Sequence, residues 1–155
     1  TDVYLVPSMN PDGFELAQRE NANNIDLNRN FPDQFIDPNP DTLTGRQVET
    51  RLMMQWTRTL NTQTPVVLAA NLHGGALVAS YPYDGSSSRQ DVYTKAPDDT
   101  LFKHLARTYA NNHLSMYSSP SFPQGITNGA AWYALYGGLQ DYSYVYVFIV
   151  VVFGV

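Results

Sequence analysis

An α/β fold, with a mixed and mostly parallel sheet flanked by helices, is what this sequence predicts, and three observations predict it. Pro65-Val66-Val67-Leu68-Ala69-Ala70 is a continuous apolar run, the mark of a strand buried on both faces. Segments with helical spacing stand on either side of it, Val48 to Leu60 and Leu101 to Tyr109. A second, shorter strand candidate, Ala76 to Tyr81, follows the first, so strands and helices alternate along the chain.

From the N-terminus, Val3 to Val6 is a β-rich run closed by Pro7, and Asn10-Pro11-Asp12-Gly13 carries turn chemistry. The chain opens inside this run with neither an initiating Met nor a leader pattern, so its start reads as missing. Residues 19 to 43 are rich in Asn, Asp and Pro and show no period, which predicts a long structured loop; loops of that length are usually functional. Thr44 with Gln47 forms a capping-box pattern, and Val48, Leu52, Trp56 and Leu60 then share one helical face. Asp98 or Asp99 caps the next helix, whose apolar face holds Leu101, Phe102, Leu105, Ala106 and Tyr109. Tyr144 to Val155 is almost wholly apolar. It is shorter than the ~20 residues that span a bilayer as a helix, and its Val, Ile, Phe and Tyr content favours a central strand, with a truncated membrane segment as the alternative.

Composition limits the function classes. With 43% hydrophobic and 15% charged residues, the 155-residue chain fits a packed globular body rather than a disordered segment. Its net charge of −5 argues against nucleic acid, since no basic stripe exists to neutralise phosphates, and is weakly compatible with a cationic substrate. There are no cysteines, which removes disulfides, thiolate metal sites and cysteine nucleophiles together.

Three groups of residues could carry chemistry. His73, followed by Gly74-Gly75, ends the apolar strand at the edge where open α/β sheets bind ligands; a histidine that only hydrogen-bonds in its loop is the bland alternative. Asn28 beside Arg29 offers an amide and a guanidinium fork suited to a carboxylate, and Arg19 adds a second fixed charge. A polar loop satisfying its own turns is the alternative there. Gly125 to Tyr133, then Gly137-Gly138-Leu139-Gln140-Asp141, suggest a mobile lid or pocket rim, with Tyr133 as ordinary core the competing reading.

Five segments occur in one order: Asn10-Pro11-Asp12-Gly13, the run Asp26 to Phe35, Leu72-His73-Gly74-Gly75, Ser80-Tyr81-Pro82-Tyr83-Asp84 and the run Gly125 to Ala130. In that order they resemble the zinc metallocarboxypeptidases of the carboxypeptidase D, E, N and M branch, whose members remove C-terminal Lys or Arg. The similarity runs from about residue 2 to about residue 144, implying a partial peptidase domain over 1-144 and a divergent apolar tail over 145-155. The resemblance implies that His73 is the third zinc ligand and that Asn28 and Arg29 grip the terminal carboxylate. By the same resemblance Arg19 is the catalytic arginine that polarises the scissile carbonyl, and Tyr133 folds over the bound residue. Asp84 receives the Lys or Arg side chain with Gln140 nearby, and Asp26 orients a zinc-bound histidine.

Such an enzyme binds zinc through two His and one Glu; carboxypeptidase A is a standard example of that ligation. The paired His-x-x-Glu ligands match nothing in this sequence, and His104 and His113 match no ligand position. Counting forward from Tyr133 places the family's glutamate base near Val155, inside a stretch with no acid. The resemblance therefore implies a metallocarboxypeptidase as the parent function and an inactive chain as given. A catalytically dead paralogue that binds peptide C-termini is the alternative, and an aggregation-prone fragment a third. The implied partners are basic peptide or protein C-termini, and the implied compartment is the secretory pathway or the cell exterior.

Overall fold

The computed structural model describes residues 2–37, 39, 42–147 and 150–154, the last five as backbone alone. In chain order its regular elements are α1 (Pro11–Glu15), α2 (Val48–Gln63), β1 (Leu68–Leu72), β2 (Ala79–Tyr81), α3 (Asp99–Asn112), β3 (Ile126–Asn128), α4 (Gly129–Trp132), α5 (Leu139–Val147) and β4 (Val150–Gly154), with short 3-10 turns between them. The strands form one sheet in the order β1-β4-β2-β3. Pairs β1/β4 and β2/β3 are parallel and β2/β4 is antiparallel, so the sheet is mixed and mostly parallel, as expected.

Two apolar clusters hold the helices in place. Phe102, Ala106 and Ala110 of α3 lie fully buried with Ala79 and Tyr81 of β2 and with Met116, and Tyr144 of α5 joins from the side. The second cluster joins Phe31 of the long loop to Met54 of α2 and to Leu139, Tyr142 and Val147 of α5. Placing Phe31 between two helices anchors the loop that carries Arg19, Asn28 and Arg29. Burial of that ring stabilises by roughly 2 kcal/mol.

Several local expectations are corrected. Val3 to Val6 forms no strand among the described residues and is largely exposed; extended backbone becomes a strand only with a partner edge. Asn10-Pro11-Asp12-Gly13 is not a plain turn. Pro11 opens α1, and the Asn10 side chain caps it by accepting from Gly13 N–H at 3.0 Å. Thr44 does not cap α2, because the helix starts four residues later behind Gln47. The Gln47 side chain accepts from Asn21 and Asn23 instead, at 3.0 and 2.8 Å.

The packed face of α2 is also different from the expected one. Thr50, Met54, Thr57 and Leu60 are buried, whereas Val48, Leu52 and Trp56 are exposed. Thr57 returns its hydroxyl to Met53 O at 2.8 Å, so a threonine serves as core where a larger apolar residue was anticipated. The Pro65–Ala70 run is not doubly buried. The strand lies at 68–72 on the sheet edge, paired among the described residues with β4 alone, and Leu68 and Leu72 are 55% and 75% exposed. On α3 the expected face holds except for Leu101, which is exposed. Asp98 stands at its N-cap position, but its carboxylate accepts from Tyr144 OH at 2.8 Å rather than capping. Tyr144 to Val147 is helical, because packing of Tyr142 and Val147 on Met54 overrides strand propensity; the strand at 150–154 does take an inner place in the sheet. Among the described residues no helix is long and apolar enough to cross a membrane.

Candidate active site

Residues near the start of the long loop are fixed by amides. Asn10 donates from Nδ2 to Arg19 O at 3.0 Å while its Oδ1 caps α1, so one side chain ties the Asn-Pro-Asp-Gly segment to the backbone of Arg19. Gly13 is required there: a Cβ would lie 2.2 Å from Asn10 Nδ2 and 2.5 Å from Glu20 O. Gly13→Ala should therefore displace Asn10 and with it Arg19, lowering stability by about 1–3 kcal/mol. A urea midpoint unchanged from the parent chain would reject that reading.

Asp26 organises the next turn. Its Oδ1 accepts from Asn28 N–H at 2.9 Å, and its Oδ2 accepts from Arg19 Nε at 2.8 Å, with Arg29 Nη1 3.8 Å away. Both oxygens thus serve the loop itself. Asn28 in turn accepts at Oδ1 from Leu139 N–H at 3.1 Å, which orients its amide and leaves the NH2 end as a donor toward the open side. Arg29 donates from Nη1 to Asn28 O at 2.8 Å.

Asp84, Asp141 and Asp33 of the loop itself form a group of carboxyls. Asp84 Oδ1 accepts from Gln140 Nε2 at 2.7 Å, and Asp141 accepts from the N–H groups of Asp84 and Gly85 at 2.8 and 3.2 Å. Asp33 is buried close by and accepts from Gly137 N–H at 2.9 Å. Burial pushes the Asp84 carboxyl well above its usual range, and the neighbouring Asp141 adds to the rise while the charge of Arg29 opposes it. Burial likewise raises Asp141, to about 7, against the pull of its two backbone donors. The Gln140 side chain is fully buried, and its Oε1 has no hydrogen-bond partner among the described residues.

These pieces meet at one cavity of about 320 Å³. Arg19, Asn28, His73, Asp84 and Tyr133 all line it. Arg29, Gln140 and Asp26 do not: Arg29 stands behind Asn28, Gln140 backs Asp84, and Asp26 holds Arg19. Sequence reasoning did not single out Ala76, Val78, Ser80 or Leu135 as lining residues, and it placed Trp132 in the Gly125–Tyr133 pocket-rim segment without a role of its own. Trp132 was the one with a usable signal, since it stands one helical turn after Gly129 and so shares its face. His73 sits beyond the end of β1 with Nδ1 2.7 Å from Gly74 O; a carbonyl only accepts, so Nδ1 is the donor in this contact.

A family model described as zinc carboxypeptidase matches residues 1–152 of the chain. The chain belongs to the zinc carboxypeptidase family. It is 49% identical to carboxypeptidase SOL1 of Arabidopsis thaliana over 144 residues, covering 93% of this chain and 28% of that protein. It is 47% identical to carboxypeptidase M of Mus musculus, covering 94% of this chain and 35% of the relative. The corresponding values for carboxypeptidase D of Drosophila melanogaster are 46%, 94% and 12%. The chain thus spans about a third or less of the length of these carboxypeptidases.

Zinc is the metal of this family, and the donor set described here does not by itself fit it. Among the described residues no three His, Cys, Asp or Glu side chains form a group that could hold a metal ion. A catalytic zinc takes three protein ligands plus an open position, and His73 is the one residue that the sequence resemblance offers as a ligand. The place where the sequence puts the family's glutamate base, Val155, lies outside the described residues.

Proposed function

We propose that this chain carries the substrate-recognition part of a metallocarboxypeptidase that removes C-terminal Lys or Arg from peptides and proteins. The observation that supports it is the shared cavity, which Arg19, Asn28, His73, Tyr133 and Asp84 all line, with Gln140 backing Asp84. An exopeptidase must sense a free carboxylate, and the Asn28 amide with the Arg19 charge supplies donors for one. Arg29, displaced from its bond to Asn28 O, would add a bidentate fork. Asp84 and the open acceptor on Gln140 suit a cationic side chain, whereas an apolar side chain would leave both unpaired. Tyr133 is 41% exposed at the rim, positioned to cover a bound residue. By resemblance to its relatives, the proposed compartment is the secretory pathway or the cell exterior.

For the chain as it stands we propose binding without cleavage, because one ligand position does not make a zinc site and residues 145-155, the proposed divergent tail, contain no acid to serve as base. A peptide ending in Ala-Arg should bind, and its C-terminal amide should bind at least tenfold more weakly, since loss of a charged partner is worth about 1.4 kcal/mol or more. Equal affinities for acid and amide would overturn carboxylate recognition. Zinc-dependent release of Arg from a dansylated peptide by the purified chain would overturn the statement on cleavage.

A further inference from the structure

Much of what fixes the walls of the cavity comes from the first turn of α5. Leu139 N–H donates to Asn28 Oδ1 at 3.1 Å, and Gln140 Nε2 donates to Asp84 Oδ1 at 2.7 Å. Asp141 accepts from Asp84 N–H at 2.8 Å and from Gly85 N–H at 3.2 Å. Three consecutive residues thus brace Asn28 and Asp84, both of which line the cavity. Asp141 itself does not line it; the residue is buried and reaches the Asp84 backbone instead.

The two donors meet two different oxygens, Oδ1 and Oδ2. A carboxylate accepts at both, whereas an amide of the same size presents one acceptor and one donor. The rest of this short strip is held by backbone partners: Tyr83 O accepts from Ala130 N–H at 2.9 Å and Asp84 O from Leu135 N–H at 2.8 Å. Gly85 has no space to yield, since a Cβ there would lie 2.7 Å from Phe35 Cδ2 and 3.2 Å from Leu135 O. Asp141 is therefore a side-chain clamp on the backbone that carries Asp84. The clamp has a cost, because its charge opposes ionisation of Asp84. Tolerating a like charge beside the pocket carboxyl fits a residue whose two oxygens are both in use.

We infer that Asp141 is a positioning residue for basic specificity: by holding the Asp84 and Gly85 N–H groups it keeps the Asp84 carboxylate at the cavity wall. This rests on Asp84 receiving the Lys or Arg side chain, as proposed above.

Isothermal titration of the 155-residue chain with N-acetyl-Ala-Arg and N-acetyl-Ala-Leu tests it, at pH 8, above the value of about 7 to which burial raises Asp141. In Asp141→Asn the Arg-to-Leu affinity ratio should fall about tenfold, the scale of one hydrogen bond to a charged group, with Leu-peptide affinity little changed. In an Asp84→Ala background the same substitution should leave the ratio where Asp84→Ala alone puts it, since a residue acting through Asp84 has nothing left to position. Hydrogen exchange of the parent chain supplies a measurement that needs no variant to fold. The Asp84 and Gly85 amides should be protected, and the Arg peptide should raise that protection more than the Leu peptide does.

An unchanged ratio in folded Asp141→Asn, parallel losses for both peptides, or fast exchange at the two amides overturns the inference and leaves the carboxypeptidase reading intact. So does a further fall in the Asp84→Ala background, which would mean that Asp141 acts on the ligand by its own charge. A parent chain that binds both peptides equally overturns the Asp84 assignment itself. Binding of neither overturns the proposed function as well.

Discussion

Asp84→Ala should reduce affinity for a peptide ending in Arg by 30-fold or more, and affinity for one ending in Leu by far less. Removing one partner of a buried, hydrogen-bonded charge pair costs about 2–5 kcal/mol, which sets that floor. The substitution also strips Gln140 Nε2 of its 2.7 Å acceptor, so the pocket loses both its charge and the group that orients the amide. Titration of the two peptides against the parent and variant chains reads the effect. Parallel losses for Arg and Leu would take Asp84 out of the specificity pocket.

Gly129→Ala provides an independent arm of the same prediction. Its new methyl would stand 1.8 Å from Asp84 Oδ1 and 2.9 Å from Asp84 Cα, so the carboxylate must leave its place. The Arg preference should fall even though every charge remains. Protonation gives a third. The Asp84 carboxyl is held above its usual range chiefly by burial, with Asp141 and Asp33 as further causes, so a cationic ligand must draw its proton off. Arg-peptide affinity should therefore rise with pH through the range in which Asp84 ionises, with proton release seen as a buffer-dependent heat.

Stability should move the other way. In the unfolded chain a carboxyl such as Asp141 ionises near 3.8, whereas in the folded chain burial raises it to about 7. Between those values the folded state holds a proton that the unfolded state has lost, so ΔG of unfolding falls as pH rises. The contribution is complete below about 3.8 and gone above about 7. It amounts to a few kcal/mol, since each tenfold difference in proton affinity between the two states is worth about 1.4 kcal/mol. Asp84, raised in the same direction and for the same first cause, reinforces the slope. Urea midpoints at pH 4.5, 6 and 8 should decline in the parent chain and decline less in Asp141→Asn. The variant also loses an acceptor for a backbone N–H and should be weaker at every pH. A parent-minus-variant difference that grows with pH would contradict the burial argument.

Legibility differed between motifs and packing. The order Asn-Pro-Asp-Gly, Asp26 to Phe35, His73-Gly74-Gly75 and the Gly-rich segment before Tyr133 pointed to one family, and the family match agrees. Helix positions could be read from spacing, but the face of α2 could not. Val48, Leu52 and Trp56 look like core and are exposed, whereas Thr50 and Thr57 look like surface and are buried. The Thr57 hydroxyl returns to its own helix and has little polarity left to display, which hydropathy does not register. Pro65 to Ala70 misled for a different reason. An apolar run reports suitability for burial, while the strand order decides whether both faces receive it.

Residue identity alone carried the kind of chemistry available here: guanidinium and amide donors at 19, 28 and 29, an imidazole at 73, a carboxyl at 84 and a phenol at 133. Their gathering was a matter of three-dimensional packing. Phe31 wedged between α2 and α5 brings the long loop to the cavity, and Leu139 N–H turns the Asn28 amide so that its donors face outward. The backing of Asp84 by Gln140 has no counterpart in any local pattern. The Asp84–Gln140 and Asn28–Leu139 contacts join residues 56 and 111 positions apart, and a one-dimensional motif holds no information about which of its side chains such contacts will turn inward.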